Sequence, residues 1–183
     1  QRLALASLLL GLVAPLAASA DGIPEPMRFD LVRGLGARAG ELEVNVLAAV
    51  GTTDPTLAWA PEIEWVPFDD LAFELEVQLL GPRVESLKPS LQWTVGRLGG
   101  NGAHGLQVAT DFRLDGRIAT HAVYVLAVSP MPWFAVVASL GPRITVDAGA
   151  LRPALLLNVA PFVTFGPHAA GVEVILERTQ QWE

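Results

Sequence analysis

The chain has 183 residues, a formal net charge of −7 and no cysteine. This length suits one domain, and without cysteine no disulfide can staple it. The acidic balance excludes a nucleic-acid partner, because phosphate binding needs a basic face.

The first twenty residues carry the pattern of a secretory signal. Arg2 precedes the apolar run Leu3 to Leu16, and Ala18-Ser19-Ala20 supplies a small-x-small cleavage pattern. Residues 1–20 are therefore expected to be removed, leaving Asp21 as the first mature residue. The alternative is an uncleaved membrane anchor. Against it, the run is short, ends in small residues and lacks a basic stop-transfer flank. Residues 21–40 show no periodicity and read as an irregular lead-in to one β-domain over 41–183. The chain starts at Gln1, and Gln180-Gln181-Trp182-Glu183 follows directly on a strand pattern. Both ends are expected to be cut short.

From residue 41 onward, segments of about ten residues alternate apolar and polar, separated by Gly, Pro and Asp. In 41–50, Leu42, Val44, Val46, Ala48 and Val50 share one face, opposite Glu41, Glu43 and Asn45. In 58–67, Trp59, Ile63 and Trp65 oppose Glu62 and Glu64. In 70–80, Leu71, Phe73, Leu75, Val77 and Leu79 oppose Glu74, Glu76 and Gln78. Further strands are expected at 89–97, 105–113, 118–128, 132–140, 153–164 and 169–177. Asp115-Gly116 is a tight-hairpin signal. Ser129-Pro130-Met131-Pro132 reads as a turn because proline denies the ladder a donor, and Gly81-Pro82 and Gly141-Pro142 are expected to end strands. The fold class is all-β, an antiparallel up-and-down sheet of about nine or ten strands closed as a transmembrane β-barrel.

Strand length favours the membrane over a soluble sandwich. A tilted strand needs roughly 9–11 residues to cross hydrocarbon, whereas soluble strands average about 5–6. Let the first strand run outward from the periplasm. The connections near 68–70, 98–104, 129–132 and 166–168 then lie on one side, beside Trp65, Phe68, Trp133, Phe134 and Phe165. Trp59 sits at the other end of its strand, on the face of Trp65. Six residues separate the two, roughly 20 Å at about 3.3 Å each, close to the ~25 Å band of an outer-membrane barrel. The alternative is a secreted or periplasmic soluble barrel or sandwich that binds a ligand, with the apolar face inward. Residues 119–128 and 153–165, apolar on both faces, favour that packed interior.

Several pieces, in order, resemble a known family. They are Arg38-Ala39-Gly40-Glu41-Leu42-Glu43-Val44, the run from Pro61 through Phe68-Asp69-Asp70 to Glu76, His104-Gly105, Leu156-Leu157-Asn158-Val159-Ala160, and Gly171-Val172-Glu173. Together they resemble bacterial outer-membrane barrels of the transporter-like or phenol-degradation MetA-pathway family. The resemblance implies an outer-membrane barrel that helps small, often hydrophobic molecules cross, and supplies no catalytic motif. The terminal aromatic strand expected of such barrels is missing.

The acidic face is the main candidate site. If Pro67 pairs with Leu71, Glu64 lies opposite Glu74 and Glu62 opposite Glu76, with Glu41 and Glu43 extending the cluster. Like charges so opposed destabilise a sheet. Glu41, Glu43, Glu62, Glu64, Glu74, Glu76 and Gln78 are expected to face a lumen, either attracting cations or ligands or neutralised by arginines such as Arg97, Arg113 and Arg178. Paired carboxylates also serve glycosidases, but strand alternation already explains these. His104, His121 and His168 are dispersed, with no metal-ligand spacing. His121 beside Thr120 resembles the pairs of membrane lipid hydrolases but lacks an orienting third group. Gly99-Gly100-Asn101-Gly102 lacks the Lys-Ser/Thr of a phosphate loop. No catalytic residue, metal or cofactor is expected. The expected partners are outer-membrane lipid and an unidentified small solute.

Overall fold

The computed structural model describes residue 23 and residues 31–50, 56–165 and 168–179. The signal pattern, its cleavage site and the C-terminal loop expected at 180–183 lie outside these residues.

The described chain is an all-β antiparallel meander. Its strands are β1 (Leu42–Val50), β2 (Leu57–Phe68), β3 (Leu71–Leu80), β4 (Arg83–Arg97), β5 (Gly102–Arg113), β6 (Ile118–Met131), β7 (Phe134–Asp147), β8 (Ala150–Phe165), β9 (His168–Gly171) and β10 (Val174–Thr179). Each of β1 to β8 pairs with the next, and β8 then pairs with both β9 and β10. Among the described residues β1 on one side and β9 and β10 on the other remain edges. The sheet nevertheless curls strongly, because Gln78 of β3 and Glu177 of β10 line the same cavity.

The sequence gives way to the structure at three places. Ser129 to Met131 continue β6, and the turn falls on Pro132-Trp133, where Met131 pairs with Phe134 across a register shift. Pro130 is accommodated in that irregular stretch, where the ladder does not need its missing donor. The expected strand 169–177 is two short strands on opposite ends of β8. Finally, Gly141-Pro142 does not end a strand: β7 runs through both to Asp147.

Gly141 is needed there for space. A Cβ on it would lie 2.0 Å from the Ala122 carbonyl oxygen and 2.7 Å from Val123 Cα. Both are backbone atoms, which cannot swing aside. Gly141→Ala is therefore expected to destabilise the fold by about 1–3 kcal/mol, the usual cost of overpacking. Urea unfolding of the two proteins measures it, and a difference below about 0.5 kcal/mol would contradict the close approach.

Tight turns close the hairpins as their residues suggest. Asp70 adopts φ 68°, a left-handed conformation that a short polar side chain tolerates. At the β5–β6 turn, hydrogen bonds from Arg117, then Arg113, hold the Asp115 carboxyl well below the usual carboxylate range.

The two faces of this sheet are inverted relative to a water-soluble protein. Ile63, Trp65, Phe73, Leu75, Leu91, Trp93, Leu106, Leu140, Leu155 and Val163 are exposed. The buried face carries Glu62, Glu64, Glu74, Glu76, Lys88, Ser90, Gln92, Gln107, Ser139 and Asn158. Part of that face is apolar. Val125, Ala127, Ala135, Val137, Ala160 and Phe162 cluster with Leu31 and Leu35 from the lead-in segment. This cluster accounts for β6 and β8 reading as apolar on both faces.

Candidate functional site

Residues 31–37 cover one end of the buried face. Val32 is fully buried and packs with Ala37, Val66 and Ala72. The Gln92 side-chain amide donates to the Arg33 carbonyl at 2.6 Å, and the Gly36 amide donates to Thr94 Oγ1 at 2.8 Å. The Asp70 amide donates to the Ala37 carbonyl at 2.9 Å, which ties the segment to the β2–β3 turn. No periodic signal in 31–37 announces this role, since the segment is held by backbone hydrogen bonds, irregularly spaced apolar side chains and the single cation Arg33.

The carboxylates stand as the alternation orders them. Glu62 pairs with Glu76 and Glu64 with Glu74 in the β2–β3 register. The turn differs slightly, with Phe68 opposite Leu71 after a shift beyond Trp65. Glu41 and Glu43 are half-buried at the start of β1. Gln78 is half-buried and accepts from Ser86 Oγ at 3.0 Å.

The neutralising cations are not the expected ones. Lys88, itself nearly buried, bonds Glu76 directly and lies 4.0 Å from Glu74. Arg33 reaches Glu41 at 2.8 Å, Glu64 at 3.4 Å and Glu43 in direct contact. Asn45 Nδ2 and Ser90 Oγ donate further bonds, to Glu64 at 2.9 Å and to Glu74 at 3.0 Å. Of the residues expected to neutralise the cluster, Arg97 instead pairs with Asp70 at 3.4 Å, and Arg113 with Glu85 at 3.4 Å and Asp115 at 3.2 Å. Arg178 lies exposed on the edge strand β10. The correction has a simple basis. Lys88 and Ser90 sit on β4 in register with Glu76 and Glu74, so the adjacent strand supplies the charge. Lys88 could have been found by extending the alternation back from 89 to 83.

Arg33 is expected to hold the segment in place. Arg33→Ala should lower the opening free energy of residues 31–37 by about 1.5–3 kcal/mol, the scale of hydrogen bonds to charged groups. Amide hydrogen exchange at Val32 and Leu35 reads this. Unchanged protection there would show that apolar packing alone retains the segment.

Farther along the buried face lies a cavity of about 260 Å³. Lys88, Asp111, His121, Arg143, Asn158 and Glu177 contribute its polar lining. Arg143 Nη1 donates to Glu177 at 3.2 Å, and Asn158 Nδ2 to Ser139 Oγ at 2.8 Å. His104 and His121 do not converge. The His104 ring lies 5.6 Å from that of Tyr124, and His168 neighbours Phe165 at 5.9 Å. Thr120 alternates to the face opposite His121 and bonds Thr110 at 3.1 Å, so no hydroxyl–imidazole pair forms. Among the described residues no group of three His, Asp or Glu side chains is arranged to hold a metal ion.

The aromatic residues sit mostly at strand ends. Trp65, Phe68, Trp133 and Phe165 are exposed and Phe134 is half-exposed. All flank the β2–β3, β6–β7 or β8–β9 connection. Trp65 packs on Phe73 at 6.4 Å, and Trp93, which the sequence reading passed over, joins that end by pairing with Leu71. Trp59 lies at the far end of β2, donating to the Gly81 carbonyl at 2.6 Å.

Comparison with known proteins gives one family model, described as HAEPLYID-like, which matches residues 23–112. That stretch is a little under half of the chain and spans the covering segment, the acidic hairpin and β1 to most of β5. Neither the curated proteins nor the solved structures contain a match.

Proposed function

We propose that this chain is an exported outer-membrane β-barrel that lets small, partly hydrophobic solutes cross passively, and that it is not an enzyme. One observation carries the reading: the sheet buries Glu62, Glu64, Glu74 and Glu76 and exposes large apolar and aromatic side chains along its other face. Contiguous apolar patches on soluble monomers rarely exceed a few hundred Å². Here the exposed apolar side chains recur on every strand from β1 to β8 and on β10. Hydrocarbon is the solvent that suits such a face, and the exposed aromatics at strand ends suit its interfaces. Strands β2 and β4 to β8 run 12 to 16 residues, enough to cross with tilt. The resemblance to transporter-like barrels supports passage as the activity, with residues 31–37 narrowing one end.

In a bilayer the reading requires the β1, β9 and β10 edges to be paired, since open backbone groups cannot be satisfied in lipid. The soluble ligand-binding alternative draws support from the apolar cluster around Val125 and Phe162, but it leaves the whole outer face in water. Membrane fractionation with a liposome-swelling assay tests the proposal. The protein should stay with the membrane after a high-salt wash and admit small solutes. A water-soluble product without detergent would overturn it.

A further inference from the structure

We propose that residues 31–37 are a stopper seated inside the curled sheet, and that solute passes only when this segment withdraws. The stopper controls the passage proposed above and rests on that reading.

The seat is enclosed. Leu31, Val32, Gly34, Leu35, Gly36 and Ala37 are all buried, and Arg33 alone is partly exposed. Successive residues of an irregular segment point in different directions, so a segment lying on a flat sheet would keep one side in solvent. Burial on all sides means that the sheet wraps it. Its partners come from both flanks of the sheet. Arg33 reaches Glu43 of β1, and Val32 packs with Ala72 of β3. Leu31 and Leu35 join the cluster of Val125, Val137 and Ala160 from β6, β7 and β8. On β5, Gly105 leaves room for the segment, since a Cβ there would lie 2.9 Å from Leu35 Cδ2. Val123 and Leu156 belong both to the apolar cluster and to the cavity wall. The segment therefore closes the interior beside the cavity and stands across a path along it.

The same seat can be left without unpairing a strand. None of residues 31–37 belongs to one, and chain outside the ladders opens at the lowest cost. The ionic hold is concentrated in Arg33, on Glu41, Glu43 and Glu64. The exit from the seat is anchored separately. The Ala39 amide donates to Asp69 Oδ1 at 2.8 Å and the Gly40 amide to the Val66 carbonyl at 2.8 Å. Residues 38–40 are exposed, so the segment can swing from this anchor while β1 and β2 stay paired.

Liposome swelling with the full chain tests the proposal, using arabinose as the probe. Arg33→Cys/Glu43→Cys removes the latch and supplies two thiols in a chain that has no other cysteine. A bifunctional methanethiosulfonate linker, long enough to replace the two lost stems, then ties the segment to β1, and a reductant frees it. The linked form should swell vesicles no faster than the parent. The freed form should be faster by about tenfold or more, roughly 1.4 kcal/mol in the opening equilibrium. Equal rates before and after reduction, a parent as fast as the freed form, or no arabinose entry in any form would overturn the stopper.

A second variant decides if the first does not fold. Gly36 sits at φ 91°, and a Cβ on it would lie 2.7 Å from Arg97 Nη1. Gly36→Ala strains the seat and leaves Arg33 and its carboxylates in place, so swelling should rise about threefold or more. An unchanged rate in this folded variant would overturn the proposal. A chain that stays with the membrane but swells vesicles equally in every form sinks the stopper and spares the passage reading. A chain that stays in water overturns both.

Discussion

Replacing Lys88 with methionine is expected to destabilise the protein by about 3–5 kcal/mol, the cost of removing one partner from a buried ion pair. The Lys88 side chain is 9% exposed, and those of Glu76 and Glu74 are 5% and 1%. Methionine keeps the packing of the stem, so the loss reports charge. Glu76 and Glu74 would be left facing Glu62 and Glu64 across the hairpin without the ammonium group. The companion variant Lys88→Met/Glu76→Gln removes a carboxylate as well and should recover much of the loss. Urea unfolding followed by tryptophan fluorescence measures both. A single variant within about 1 kcal/mol of the parent would mean that solvent, not Lys88, compensates the cluster.

The second large effect separates the two environments. Leu75 is 45% exposed and lies midway along β3, away from both turns. In water, an exposed substitution of this kind usually changes stability by no more than about 0.5 kcal/mol. In a bilayer, arginine near the midplane costs about 2–4 kcal/mol. Leu75→Arg is therefore expected to lose that larger amount in lipid vesicles. An effect near zero, with the protein folded, would mean that the outer face meets water.

Much of the fold was legible because strand alternation is a local signal. The run from Leu71 to Gln78 separates its two sets of side chains without reference to any other strand, and the Glu62–Glu76 and Glu64–Glu74 register followed from one turn. What alternation cannot carry is contact made by irregular chain. The Arg33 latch depends on a segment without periodicity folding back on the sheet. Strand limits set by proline were misjudged for a related reason. Pro142 and Pro130 lack a donor, but the long strands around them retain enough other ladder bonds to continue. Within the candidate site, the carboxylates were readable, whereas the cavity was not. Asp111, His121, Arg143 and Asn158 sit on four consecutive strands, and only the curl of the sheet adds Gln78 of β3 and Glu177 of β10 to the same space.

Single-cysteine labelling in lipid vesicles tests the inverted faces most directly, since the chain has no native cysteine. Cysteines at 73, 75 and 77 are set against cysteines at 74 and 76, on the buried face. The account predicts that the first group reacts with a lipid-phase probe and resists a membrane-impermeant one, while 74 and 76 escape the lipid-phase probe. Ready labelling of 73 and 75 by the water-soluble reagent, with no reaction from the lipid side, would contradict it.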